Sequence, residues 1–100
     1  MSLRGPKTFR KVVTTAGTRV RLVAASTKVR KVKIKALVGN TGVMYIGDST
    51  VASTNGFQLA AGAEIFLNDL FWNEYDIVDL YELYLDSAVN GEGVSVIYAD

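Results

Sequence analysis

Two residue types that carry much of protein chemistry are missing, since this 100-residue chain contains neither cysteine nor histidine. Without cysteine there is no disulfide framework and no thiolate nucleophile. Without histidine the chain lacks the side chain best placed to move protons near neutral pH. Both absences argue against an enzyme.

Long apolar segments are missing as well. No stretch reaches the ~18 apolar residues that a membrane span needs. Residues 1–7 (MSLRGPK) lack the apolar region of a secretory signal. We therefore expect a soluble protein that is made in a cytoplasm and has no membrane partner. Hydrophobic residues still make up 49% of the chain, which is enough for the core of one domain.

Charge is divided along the chain, although the formal net charge is only +1. All 11 basic residues lie between Arg4 and Lys35, and all 10 acidic residues lie between Asp48 and Asp100. A cationic third is thus followed by an anionic half. This division needs an explanation, either in the fold or in the partners.

Two segments, residues 19–24 (RVRLVA) and 31–38 (KVKIKALV), alternate apolar and charged residues with the period of a β-strand. The predicted inward residues are Val20, Leu22 and Ala24 in the first segment and Val32, Ile34, Ala36 and Val38 in the second. The arginines and lysines then share the opposite, wet face. Strands of this kind belong to antiparallel sheets that have one solvated side.

Turn residues delimit further strands. Ala16-Gly17 predicts a hairpin between residues 8–14 and 18–24, and Asn90-Gly91 predicts one between 78–85 and 94–99. Other predicted strands are residues 43–47, 57–59 and 64–67, with a long loop over 48–56. Eight short strands predict an all-β fold, either a two-sheet antiparallel β-sandwich or a small barrel. Residues 1–7 are predicted to be a flexible basic arm and residues 8–100 a single domain.

Residues 68–86 also have apolar spacing that suits a helix. The alternation of Tyr81, Leu83 and Leu85 before a hairpin signal favours a loop over 69–76 followed by a strand.

A pattern in the middle of the chain runs from one predicted strand through a loop into the next. It comprises residues 45–51 (YIGDSTV) and 55–64 (NGFQLAAGAE), with a looser continuation in residues 79–81 and 93–98. Over roughly residues 28–99 this pattern resembles small virion structural proteins of tailed bacteriophages. The resemblance implies a β-sandwich, often jelly-roll-like, that serves as a capsid decoration (cement) protein or as another shell or tail accessory. It implies no catalytic residues.

Two patterns that suggest catalysis or metal binding have simpler explanations. Gly47-Asp48-Ser49 is similar to the nucleophile motif of GDS-type esterases, but those enzymes need a histidine to accept the serine proton. An acidic cluster comprises Asp69, Glu74, Asp76, Asp79, Glu82 and Asp86. Its spacing matches neither an EF-hand loop nor the carboxylate pair of a glycosidase. We therefore expect no enzymatic activity, metal, cofactor or small-molecule substrate.

The basic residues have three explanations. In the first explanation, they face the chain's own acidic strands, where an opposite-charge pair contributes about 0.2–1 kcal/mol. Alternatively they bind nucleic acid, although only Phe9 lies near them for base stacking. In the third explanation, the cationic part of one subunit meets the anionic part of another, head to tail.

Phe71, Trp72 and Tyr75 form an aromatic group that packs in the core or rim, stacks on a sugar, or anchors a protein interface. Exposed Trp and Tyr side chains favour the interface, because they dominate interface hot spots.

Together with the resemblance, these observations predict a capsid decoration protein, expected to act as a homotrimer in the virion. Its partners would be the major capsid protein and sister subunits. The predicted contact residues are Arg4, Lys7, Arg10, Lys11, Lys31, Lys33, Lys35, Phe71, Trp72 and Tyr75. The alternatives are a tail, fibre or connector accessory of the virion, or a carbohydrate- or nucleic-acid-binding β-sandwich module.

Overall fold

Short segments in which β-branched and aromatic residues alternate with polar ones form strands throughout the described part of the chain. The computed structural model describes residues 6–67 and 77–99, and no α-helix occurs in those two ranges. The strands are β1 (Lys7–Val13), β2 (Val20–Arg21), β3 (Lys28–Val29), β4 (Lys31–Ala36), β5 (Met44–Gly47), β6 (Phe57–Leu59), β7 (Glu64–Phe66), β8 (Val78–Asp79), β9 (Tyr84–Ser87) and β10 (Glu92–Ala99). A 3-10 turn at Leu80–Glu82 lies between β8 and β9. The prediction of an all-β fold is confirmed.

The strands form two four-stranded sheets, and every neighbouring pair within them is antiparallel. The front sheet has the order β1-β10-β4-β7, and the back sheet has the order β2-β9-β5-β6. Strands β3 and β8 form a separate two-stranded ribbon. The result is a two-sheet antiparallel β-sandwich, as predicted.

The strand order is that of a jelly roll. Numbered along the chain without the ribbon, the remaining eight strands run 1-8-3-6 in the front sheet and 2-7-4-5 in the back sheet. Each strand of the first half therefore lies beside its counterpart from the second half, as in a long hairpin that has been rolled up. This order places the cationic half of the chain against the acidic half.

One hydrophobic core fills the space between the sheets. In the centre of the front sheet, the register pairs Ile34 of β4 with Val96 of β10, and both side chains are buried. In the back sheet, Leu85 of β9 lies beside Ile46 of β5 in the same way. Burying an aliphatic side chain of this size stabilises a fold by about 1.5–3 kcal/mol. The alternation predicted for β4 thus determines which of its side chains form the core.

Both predicted hairpins are wrong, although both turns exist. Gly17 has φ 88° and Gly91 has φ 79°, the left-handed conformation that glycine adopts most readily. The first turn, however, carries the chain from β1 in the front sheet to β2 in the back sheet, and the second carries it from β9 to β10 in the opposite direction. A turn residue specifies that the chain reverses, but the sheet that the next strand joins depends on packing.

Several predicted strand limits need correction. Strand β4 ends at Ala36, so Val38 lies outside the sheet and is 76% exposed instead of facing inward. Strand β2 ends at Arg21, and Ala24 is exposed. Lys7, the last residue of the predicted basic arm, begins β1, one residue before the predicted start of the domain.

The strand predicted over residues 78–85 is interrupted. The carboxylate of Asp79 accepts hydrogen bonds from the N–H groups of Tyr81 (3.0 Å) and Thr27 (2.9 Å), which caps the 3-10 turn and separates β8 from β9. Tyr81 consequently lies in the turn instead of an inward strand position. The loop predicted over 69–76 lies outside the described residues. Within the described ranges, no helix has the length and hydropathy needed to cross a membrane.

Candidate protein-docking surface

The solvent side of the front sheet collects the predicted lysines. Because side chains alternate along each strand, residues that share a register line lie side by side on this surface. One line joins Arg10, Ser95, Lys35 and Glu64, and the next joins Thr8, Ile97, Lys33 and Phe66. We call this surface, which also includes Lys31, the lysine face.

One cation of the lysine face is neutralised within the chain. The ammonium group of Lys33 lies 3.2 Å from a carboxylate oxygen of Glu64 and 4.6 Å from the ring centroid of Phe66. Both side chains of the ion pair are partly exposed, so the pair contributes at most about 1 kcal/mol. Lys33 is therefore the least available cation of the lysine face.

The other cations of the face, Arg10, Lys31 and Lys35, have no carboxylate within 4.0 Å among the described residues. Arg10 and Lys35 lie on either side of Ser95, two strand spacings or about 10 Å apart. This distance slightly exceeds the screening length of about 8 Å at physiological ionic strength, so each charge acts mainly on a partner that comes close to it. The front sheet thus presents three described cations that are not part of an ion pair.

Apolar side chains lie between these charges. Ile97 is 42% exposed and Phe66 is 49% exposed, although both belong to strands. A hollow of about 300 Å³ is lined by Pro6, Lys31, Phe66, Ile97, Tyr98 and Ala99, together with Val32 and Lys33. A second hollow of about 170 Å³ begins on the other side of Ile97, against Lys35 and Glu64. Exposed apolar area surrounded by charge is typical of surfaces that bind other macromolecules.

The predicted contact residues divide into three groups. Arg10, Lys31, Lys33 and Lys35 lie together on the lysine face. Lys7 and Lys11 alternate with Arg10 along β1, so they point to the other side of that strand, at the edge of the sheet. The remaining predicted residues, Arg4, Phe71, Trp72 and Tyr75, lie outside the described residues.

Ile97 and Phe66 were not predicted as contact residues. The alternation around Val94 and Val96 contains the signal for Ile97, since two inward valines leave the following residue on the outer side. Phe66 follows Ile65 in the same way. Large apolar side chains at the outward positions of alternating strands therefore indicate contact residues that charge alone does not reveal.

Most of the carboxylates in the described part of the acidic half bind backbone N–H groups. The Thr41 N–H donates to Glu92 at 2.6 Å and the Gly42 N–H at 2.8 Å, which attaches the β4–β5 connection to the start of β10. Both bonds lower the pKa of the Glu92 carboxyl, and the bond from the Thr41 N–H has the larger effect. A hydrogen bond from the Thr41 hydroxyl lowers this pKa further. Glu92 is thus used to hold a loop, and it does not neutralise a lysine.

Three further carboxylates are used in a similar way. The hydroxyl of Ser26 donates to Asp79 at 2.7 Å, and this bond is the main cause of the lowered pKa of Asp79. The Tyr81 and Thr27 N–H groups and the charge of Lys28 make smaller contributions in the same direction. The Thr50 hydroxyl and N–H lower the pKa of Asp48. Buried Asp86 accepts from the Gly17 N–H at 2.9 Å.

Arg21 lies on the face of β2 opposite buried Leu22, as predicted, but it is only partly exposed there. Its guanidinium carbon is 3.7 Å from the ring centroid of Tyr81 and 4.6 Å from that of Tyr84. It donates to the Tyr81 carbonyl at 2.7 Å and to the Tyr84 hydroxyl. Rings and hydrogen-bond acceptors therefore hold this cation on the back sheet.

The two patterns that suggested catalysis or metal binding have structural explanations where the structure describes them. Asp48 in Gly47-Asp48-Ser49 accepts from the Thr50 N–H at 2.8 Å, which makes the motif a polar turn after β5. No group of three acidic side chains in residues 6–67 and 77–99 is placed to hold a metal ion. The lysine face, with its cations and exposed apolar side chains, has the chemistry to bind an acidic partner.

No family model, curated protein or solved structure matches this chain.

Proposed function

We propose that this chain is a virion structural protein of a tailed bacteriophage, a decoration (cement) protein that adheres to the capsid. The observation that carries the proposal is the lysine face, where Arg10, Lys31 and Lys35 surround exposed Ile97 without a carboxylate partner in the described residues. The jelly-roll strand order and the resemblance of residues 45–64 to phage virion proteins support the same class. The virion is the proposed location.

The mechanism of such a protein is additive adhesion. Cations of the lysine face would attract an acidic surface of the major capsid protein and orient the approaching subunit. The hollow beside Ile97 and Phe66 would then accept an apolar side chain of the shell, and burial of apolar area supplies affinity. Many copies, each held in this way, would oppose expansion of the shell under the pressure of the packaged DNA. The expected assembly on the shell is a trimer.

A charge reversal tests this proposal. The double variant Lys31→Glu/Lys35→Glu should lose binding to shells that lack the protein, since like charges at an interface cost several kcal/mol. Lys33 is left unchanged because its reversal would also break the ion pair with Glu64. Arg19→Glu is the control, since Arg19 is exposed and lies outside the lysine face. Co-sedimentation measures occupancy, and circular dichroism verifies the fold.

Occupancy of the double variant equal to that of Arg19→Glu would refute the proposal. Binding to tails but not to capsids would assign the protein to the tail, fibre or connector accessories. A duplex-DNA titration covers the third class. Affinity for DNA that falls log-linearly with salt, by about 0.9 decades per decade for each phosphate contacted, would favour a nucleic-acid-binding module. Salt-independent binding to a sugar would favour a carbohydrate module.

A further inference from the structure

The sandwich has an open side between the free edges of its two sheets. Strand β7 ends the front sheet and β6 ends the back sheet at the same side of the fold. The cleft near them has a volume of about 360 Å³ and almost entirely apolar walls. Its lining residues are Ile46, Gly47, Asp48, Phe57, Ile65, Leu67, Glu82 and Leu83. We call this the acidic cleft.

Two carboxylates and one large apolar side chain of the acidic cleft are exposed. Phe57 is 55% exposed although it lies in β6. Asp48 and Glu82 are exposed among the same lining residues. Glu82 makes no hydrogen bond or ion pair in the described structure, so its charge is free to act on a partner. A partner for this cleft should therefore combine cations with apolar side chains.

The opposite edge of the front sheet has these properties. Strand β1 ends the sheet on the side away from β7 and spans seven residues, whereas β7 spans three. It carries Lys7, Arg10 and Lys11, none of which forms an ion pair among the described residues. Val12, which follows Lys11 in the strand, is 42% exposed. The unpaired backbone of a long edge strand also makes it a surface on which another chain can dock.

From this complementarity we infer that copies of the chain associate head to tail, with the cationic β1 edge of one copy seated on the acidic cleft of the next. The donor and acceptor surfaces lie at opposite edges of the sandwich, so one copy cannot satisfy its own cleft. A contact between two different surfaces is heterologous, and it closes into a ring when the rotation between successive copies closes. Arg10 belongs to both surfaces, but Lys31 lies only on the lysine face and Glu82 only in the acidic cleft, so variants of these two residues separate this inference from docking to a shell.

A different explanation exists for the cations of β1. Lysine and arginine on an edge strand prevent unwanted pairing by repelling other edges. The two explanations predict opposite results when the charge is reversed. If β1 docks in the acidic cleft, Arg10→Glu should weaken self-association. If its cations protect the edge, their loss should leave association unchanged or increase it.

Sedimentation velocity of the purified full chain, over a range of protein concentrations, tests the inference. We expect a reversible closed multimer at about 0.05 M salt that dissociates as the salt is raised to about 0.5 M, because the attraction is screened. Glu82→Lys and Arg10→Glu should each weaken association by roughly tenfold or more. The double variant should recover it, since the charges are then exchanged across the same contact. Circular dichroism verifies that each variant is folded.

Lys31→Glu is the matched control, because it changes the net charge as Arg10→Glu does but lies on a central strand. It should leave the multimer intact while weakening attachment to shells, which separates this inference from the proposed function. A chain that is monomeric at every concentration and salt would overturn the inference. Association that is insensitive to Glu82→Lys, or strengthened by Arg10→Glu, would overturn it as well.

Discussion

Replacing Gly93 with alanine should weaken the attachment of β1 to the front sheet. Gly93 lies opposite Val12 in the register of β1 and β10, and the backbone of β1 passes directly over it. A Cβ atom on residue 93 would lie 2.9 Å from the Cα of Val12 and closer still to the carbonyl of Lys11. Both neighbours are backbone atoms, so no rotamer change can relieve the overlap.

The size of the effect follows from how far the strands must separate. Overpacking of this kind costs about 1–3 kcal/mol in well-packed proteins. A domain of this length has about 5–15 kcal/mol of stability, so the variant should remain folded. With a urea dependence of about 1–3 kcal/mol per molar, the unfolding midpoint should fall by roughly 1 M. Because β1 is an edge strand, the loss of stability should be concentrated in the pairing of β1 with β10.

Urea unfolding followed by far-UV circular dichroism measures the total loss, and amide hydrogen exchange in β1 localises it. Gly39→Ala is the control, because a Cβ atom there meets no atom within 4 Å and the residue has no positive φ. Its stability should change by no more than about 0.5 kcal/mol. Equal midpoints for the two variants would refute the argument that the close approach of β1 requires glycine.

Two further predictions concern the loops and the back sheet. Glu92, whose pKa the Thr41 and Gly42 N–H groups lower, binds fewer protons in the folded state than in the unfolded state. The contribution of Glu92 to stability should therefore be present above the ordinary glutamate pKa of about 4.3 and be lost as the pH falls below it. Thermal melts over this range should show a smaller decline for Glu92→Gln, because the loop contact no longer depends on a titrating group. Arg21→Lys should lower the free energy of unfolding by about 1–2 kcal/mol, because lysine cannot stack between Tyr81 and Tyr84 while donating to both. Chemical denaturation measures it, and a loss equal to that of Arg19→Lys would contradict the stacking argument.

Local pattern determined which side chains face the core, and it failed where strands end. Alternation placed Val32, Ile34 and Ala36 inward, and all three are buried. It also placed Val38 inward, but β4 stops two residues earlier because Asn40 turns the chain toward Gly93, with its side-chain amide donating to the Gly93 carbonyl at 2.9 Å. Asn40 and Gly93 are 53 positions apart in the chain, so the local turn in which the Asn40 N–H donates to the Leu37 carbonyl at 3.0 Å does not contain the whole of this end signal.

Strand pairing could not be predicted from the turns for a related reason. Ala16-Gly17 and Asn90-Gly91 correctly marked reversals, but the Gly91 N–H donates to the carbonyl of Val13 in β1, at 2.8 Å, instead of closing a hairpin with its neighbour in the sequence. In a rolled hairpin, strands that are adjacent in the sequence often belong to different sheets. The pairing is decided by which faces bury the most apolar area together, and this depends on the whole chain.

The candidate docking surface was predicted in part. The lysines of β4 share one face as alternation requires, and Arg10 joins them because β10 lies between β1 and β4. That Glu64 neutralises Lys33 and leaves Lys35 unpaired depends on the β4–β7 register and on side-chain rotamers. Neither the register nor the rotamers can be derived from the spacing of residues in the sequence. The sequence therefore does not show which individual lysines are free to bind a partner.

The division of charge along the chain has a topological explanation that also strengthens the proposed function. A rolled hairpin pairs the cationic half with the acidic half, so the opposite charges could have neutralised one another strand by strand. They do so at Lys33 and Glu64, and Lys28 lies opposite Asp79 in the ribbon. Asp48, Asp86 and Glu92, however, accept hydrogen bonds from loop N–H groups. These N–H groups need an acceptor, and a lysine ammonium group offers only donors. The cations that remain without partners are therefore more available for docking than the net charge of +1 indicates.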